Sequence, residues 1–281
     1  MRRFILPLFI LLSLLGTAQS DVSDARDAYF SGDYEACISL TTALIDVERN
    51  AEAYLLRAQA FHKQGKFAQA LADYDYAEKR GSADEELYLN RGICRSSLQL
   101  YDAATKDLWR FLELSPDHAL AYYYLGEVDF MLGNTEAALE FIGHSLELDD
   151  DYMPAWYLQG AAFAEKGKWR KARESFDRAA QIDPSFRRIQ LNIALTCIEQ
   201  MEFDEANEIL SNLLLEDDTL LPEVYYYRAE VKYFQKDHVG ACEDWKQSAD
   251  LGDEDAATNW ERVCQKGKDS IKQKRRTYAE F

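Results

Sequence analysis

Apolar and polar positions along this chain recur on two nested scales. On the short scale Tyr122, Leu125, Gly126 and Asp129 follow helical spacing, Gly133 and Asn134 interrupt it, and Ala138, Leu139 and Ile142 resume it. On the long scale the whole pattern returns every 34 residues: small residues stand at Ala58, Gly92, Gly126, Gly160 and Ala194, then at Ala229 after one extra residue. A second small column runs through Ala70, Ala104, Ala138, Ala172, Ala206 and Ala241. Large residues keep step with both. One column reads Tyr54, Tyr88, Tyr122, Trp156, Gln190, Tyr225; another reads Tyr74, Leu108, Ile142, Phe176, Leu210, Trp245. Each period therefore predicts two helices and a turn. Antiparallel helices pack about 8 to 10 Å apart, and only Gly or Ala permits their closest approach, which accounts for the small columns. Pro116 and Pro184 share a further column with Ser82, Asp150, Asp218 and Asp253, where Pro starts and Asp caps a following helix.

The spacing of Trp156, Gly160, Phe163, Gly167, Trp169, Ala172, Phe176, Ala179 and Pro184 resembles the tetratricopeptide repeat (TPR) consensus. The resemblance implies an all-α fold, a right-handed α-solenoid of seven helix-turn-helix repeats. Their approximate bounds are 21–50, 51–84, 85–118, 119–152, 153–186, 187–221 and 222–255, with a capping helix at 256–266. In the first, degenerate repeat Ala36, Leu40 and Ala43 keep the period while Ala25 and Gly32 fall one residue late, so a turn shortened by one is expected there. The stretch from Ala241 to Gly252, ending at Cys264, also resembles the last repeat of exported bacterial TPR proteins and, faintly, a Sel1-like unit.

Charge and the chain's beginning add a location. Arg2 and Arg3 precede an apolar run from Phe4 to Leu15, followed by Gly16, Ala18 and Ser20, the pattern of a cleaved secretory signal over residues 1–20. The run falls short of the roughly 20 apolar residues that span a bilayer. Export to the periplasm or outside the cell follows. The whole chain carries −18. Within Lys266 to Phe281, Lys266, Lys268, Lys272, Lys274, Arg275 and Arg276 face only Asp269 and Glu280, so residues 267–281 read as a basic, disordered tail. The acidic remainder repels phosphate backbones and excludes nucleic acid as a partner.

Catalytic chemistry finds no foothold. His62, His118, His144 and His238 lie in different repeats, and no HExxH, P-loop, GxGxxG or GxSxG motif occurs, so no enzyme, metal or cofactor is expected. Of the five cysteines, Cys242 and Cys264 lie on adjacent helices and can reach each other, with buried free thiols as the alternative.

The TPR resemblance implies a protein or peptide partner held in a groove lined by first helices. Candidate groove residues are Tyr123, Tyr124, Phe130, Tyr157, Tyr226, Tyr227 and Phe234, with structural packing as the competing role for the tyrosines. An apolar or basic segment suits this lining better than an acidic one. Glycan binding through the same aromatics is the alternative function. Finally, Arg57, Arg91 and Arg228 replace residues that are Leu125 and Ile193 elsewhere in their column. Sixteen residues on, the same repeats carry Asp73, Asp107 and Asp244 where others have Phe141, Ser175 and Ile209. This matched exchange predicts a salt bridge between the two helices of each of those repeats.

Overall fold

The computed structural model describes residues 22–48, 50–82, 84–215, 219–268, 270–274 and 276–279. The expected signal at 1–20 and Asp218, expected to cap a helix, lie outside them. All regular structure among the described residues is helical, and the chain divides into two compact units at Pro116 and Asp117. The N-terminal unit pairs α1 (Val22–Phe30) with α2 (Tyr34–Glu48), α3 (Ala51–Lys63) with α4 (Phe67–Lys79), and α5 (Glu86–Ser97) with α6 (Tyr101–Leu114). The C-terminal unit pairs α7 (Ala119–Met131) with α8 (Thr135–Leu148), α9 (Met153–Glu165) with α10 (Trp169–Ile182), α11 (Arg187–Glu199) with α12 (Phe203–Leu213), and α13 (Leu221–Phe234) with α14 (His238–Asp250). A short α15 (Glu254–Asn259) follows and continues as a π-helical turn, Trp260–Gln265. Helix-turn-helix repeats of this kind make the fold an α-solenoid.

The two sequence columns meet in space. A Cβ placed on Gly160 would lie 2.6 Å from the Phe176 ring, and one on Gly126 would lie 2.7 Å from Ile142. The small residue of each first helix thus admits the large residue sixteen positions later. Tyr74, Leu108, Ile142, Phe176, Leu210 and Trp245 are all fully buried. The turns repeat as strictly. Each passes one residue through the left-handed region: Gly32, Gly65, Gly133 and Gly167, and also Gln99, Met201 and Lys236. At Gly133 the motif closes with the Asn134 amide donating to the Asp129 carbonyl at 2.8 Å, which stops α7.

The first repeat corrects one expectation. Cys37, Thr41 and Ile45 are buried in α2, whereas Ala36 and Leu40 are only partly so. Gly32 is left-handed like the other turn residues, so the α1–α2 turn has the usual geometry. Cys37 is small and apolar enough to fill an alanine position, so the whole repeat shifts by one and the missing residue falls between α2 and α3.

The three predicted ion pairs form, each bidentate. Arg57 reaches Asp73 at 2.7 and 2.9 Å, Arg91 reaches Asp107 at 2.7 and 2.8 Å, and Arg228 reaches Asp244 at 2.8 and 2.7 Å. In every case the remaining Nη1 turns to the second helix of the preceding repeat: to Thr42 at 3.0 Å, to Asp75 at 3.0 Å and Glu78 at 2.5 Å, and to Ser211 at 3.3 Å. One guanidinium thus ties three helices. Asp107→Ala removes the bidentate partner of Arg91, leaving it Asp75 and Glu78, and also the carboxylate that Arg95 reaches at 2.6 Å. A loss of about 3 kcal/mol is expected, because one partner of a buried pair is removed. Glu174→Ala, breaking the exposed pair with Arg170, should cost under about 0.5 kcal/mol. Urea denaturation of the two variants checks the contrast.

Cys242 on α14 and Cys264 on the π-helical turn form a disulfide with Cα atoms 5.8 Å apart. Cys37, Cys94 and Cys197 are free and buried, and burial pushes their thiols up to about 11, 12 and 12. Raised values leave these groups protonated at pH 8, and the thiolate is the reactive form. Native protein at that pH should therefore react slowly with a disulfide reagent. Denaturation without reductant should release three thiols, and a count of five would rule out the bridge.

Candidate functional site

In the C-terminal unit the first helices α9, α11 and α13 bring Tyr157, Asn192 and Tyr226 to one face, and residues 271–274 and 276–279 lie on it without forming a helix. The expected disordered tail is therefore corrected for these residues. Its charges are met by an acidic lining, and its main chain is met by side chains that can bond a peptide unit. Asn259 takes the Lys272 amide on Oδ1 at 2.7 Å and gives its Nδ2 hydrogen to the Lys272 carbonyl at 2.9 Å. The Tyr226 hydroxyl donates to the same carbonyl at 2.8 Å and accepts from the Lys274 amide at 2.9 Å. Further along, Asn192 donates to the Tyr278 carbonyl at 2.8 Å and to the Tyr157 hydroxyl at 3.2 Å.

Alternate side chains of the segment point to acids on the same face. Lys272 pairs with Asp255 at 2.7 Å, Lys274 with Asp253 at 3.0 Å, and Arg276 with both Glu199 and Glu230. The last pairing is the buried one: the Arg276 side chain is 12% exposed and Glu230 only 1%. Burial pushes the Glu230 carboxyl up even though Arg276 pulls it down. Lys274 and Arg276 also lie over the rings of Tyr226 and Tyr227, 5.5 and 5.7 Å from their centroids. Two residues beyond Arg276 the Tyr278 ring is buried and tilted against Trp169. A spacing of two between successive contacts is that of an extended chain with one side turned inward.

The candidate groove residues fall in three places. Tyr157, Tyr226 and Tyr227 gather around the segment, all essentially buried. Tyr123 is also buried but packs with Tyr124 and Tyr152 in another cluster, about Ile142 and Leu158. Phe130 lies partly buried against it, and Phe234 stacks on Phe203. The groove therefore offers no open tyrosine strip. Asn192, Asn259, Glu199 and Asp255 were not singled out in the sequence, where polar residues on helices carry no mark of what they bond. The signal that was available is the alternation of Lys272, Lys274, Arg276 and Tyr278 in an otherwise acidic chain. Elsewhere, Cys197, Glu202 and Glu205 have ligand atoms within 4.8 Å of one another, but Arg173 already supplies the cation there, reaching Cys197 at 2.8 Å and Glu205 at 2.6 Å.

Tyr226→Phe removes the hydroxyl that holds the main chain of Lys272 and Lys274. Trypsin should then cut after these lysines faster than in the unaltered protein, at a stability cost of only about 1 kcal/mol. Tyr123→Ala should instead cost about 3 to 5 kcal/mol, as for other large core residues. Timed digestion with mass spectrometry, together with thermal melts, checks both; equal cleavage rates would mean the hydroxyl does not hold the segment.

Comparison with known proteins agrees with this architecture. The tetratricopeptide repeat family profiles match residues 23–85, 86–142 and 154–186. Sperm-associated antigen 1 of Rattus norvegicus is 31% identical over 123 residues, covering 44% of this chain and 14% of that protein. The Hsp70-Hsp90 organizing protein of Triticum aestivum is 31% identical over 87 residues, covering 31% and 15%. This chain thus spans only a small part of the length of these curated relatives. A tetratricopeptide repeat protein from Parabacteroides merdae shares the fold at 18% identity with a TM-score of 0.61, over 86% of this chain and 96% of that one. The chain belongs to the tetratricopeptide repeat family.

Proposed function

We propose that this protein is a non-catalytic scaffold that binds protein segments through the first-helix face of its C-terminal unit, and that it acts outside the cytoplasm, in the cell envelope or beyond it. The observation that carries the reading is the seating of residues 271–274 and 276–279. Asn259, Tyr226 and Asn192 bond that stretch through its main chain, a mode that serves any extended peptide whatever its side chains. Proteins of this family act as protein-interaction scaffolds, and the relative named for organizing Hsp70 and Hsp90 is in keeping with that role. The Cys242–Cys264 bridge supports export, since disulfides persist in oxidising compartments. No helix among the described residues is long and apolar enough to cross a membrane.

Short random peptides displayed on phage, selected against the chain carrying Arg276→Glu and Tyr278→Ala, test the binding role. Enrichment of particular sequences is expected, and adding Asn192→Ala should abolish it. A failure to enrich any peptide on the freed face would sink the reading. Export predicts that chain recovered from the envelope begins at Gln19 or Asp21, which intact mass measurement decides; an N-terminus still carrying the apolar run would remove that part.

A further inference from the structure

We infer that residues 271–279 are an internal ligand. They close the first-helix face of the C-terminal unit against partners, and the partner that displaces them is a protein segment of the same chemistry: extended, with cations at alternate positions and an aromatic two residues after the last. The inference rests on the scaffold reading and adds to it the identity of the ligand class and the means of regulation.

Three observations converge. First, the face is chemically specific where it meets side chains. Asp255, Asp253, Glu230 and Glu199 each meet a cation of the segment, and the aromatic contact falls at Tyr278 beside Trp169. Departure of the segment removes the cation that each of these acids meets, and Glu199 and Glu230 lie near enough to repel each other. Like charges so placed repel, so the open face favours whatever returns cations at the same spacing. Second, the segment is bound in a way that permits release. The Lys272 and Lys274 pairs are partly exposed, with lysine side chains 59% and 33% accessible, and such pairs add little to stability. Arg276 with Glu230, together with Tyr278, forms the side-chain anchor, and Asn259 and Tyr226 hold the main chain of Lys272 and Lys274. Third, a tethered ligand competes at an effective concentration of order millimolar, so it suppresses weak ligands and yields to strong ones.

The test uses a fluorescent synthetic peptide with the sequence of residues 270–279, added to full-length protein and followed by anisotropy. The unaltered chain should bind it weakly, whereas the chain with Arg276→Glu and Tyr278→Ala should bind it at least about 30-fold more tightly, because the internal competitor is gone. Lys272→Ala with Lys274→Ala, which keeps the anchor, should fall between the two. Replacing Arg276 in the peptide by alanine should weaken binding to the freed face by about 30-fold or more, and so should Glu230→Gln in that protein. A freed chain that keeps its helicity yet binds the peptide no better than the unaltered chain overturns the proposal. If both sets of variants lose helicity, the segment is part of the core, and the proposal falls likewise. Should the freed face prefer peptides with acids in place of the cations, the scaffold reading stands and the ligand class assigned here is wrong. Dimers of the unaltered chain that exchange the segment would replace closure within one molecule by closure between two and overturn it as well.

Discussion

The closest approach of the two helices within a repeat is the constraint from which the rest of this molecule follows. At Gly126 and Gly160 even a methyl group would strike the facing side chain. A gap that narrow fixes which residue must be small and which residue, sixteen positions on, must fill the space beside it. Once the crossing is set, the turn has one length, and its left-handed residue recurs in register. First helices are then presented side by side, and a face capable of holding a chain follows from packing alone.

This is also why so much of the fold is legible in the sequence. A steric requirement that repeats every 34 positions leaves a column of glycines and alanines that no other arrangement explains. The arginine pairs were legible for a related reason. A buried guanidinium forces a compensating carboxylate, so comparing repeats with and without Arg57, Arg91 or Arg228 exposes the partner. Their reach to the preceding repeat was not legible, because Thr42, Asp75, Glu78 and Ser211 share no residue type. The first repeat misled for the opposite reason: Cys37 serves as an alanine there, and a column defined by Ala alone selects its neighbour.

Legibility fails at the candidate site because its contacts are not periodic. Asn192 and Asn259 matter through main-chain bonds to residues 86 and 13 positions on. No local pattern encodes such a pairing. The tyrosines singled out as groove lining show the converse. Their spacing is compatible with core and with surface alike, and the structure distributes them between a packed cluster around Ile142 and the floor beneath residues 271–279. Charge misled as well: the basic run reads as a solvated tail, although in a chain of net −18 Lys272, Lys274 and Arg276 settle on its acids.

The disulfide between Cys242 and Cys264 encloses Asp253, Asp255 and Asn259 within its loop. In a linear stack each repeat gains stability from its neighbours, and a repeat at the end of a stack has only one, so ends are where such arrays fray. A covalent loop of this length shortens the unfolded chain's freedom by an amount of about 3 kcal/mol. That crosslink stiffens the end of the stack that carries Asn259, Asp255 and Asp253, so partial opening of the molecule starts away from residues that grip the chain.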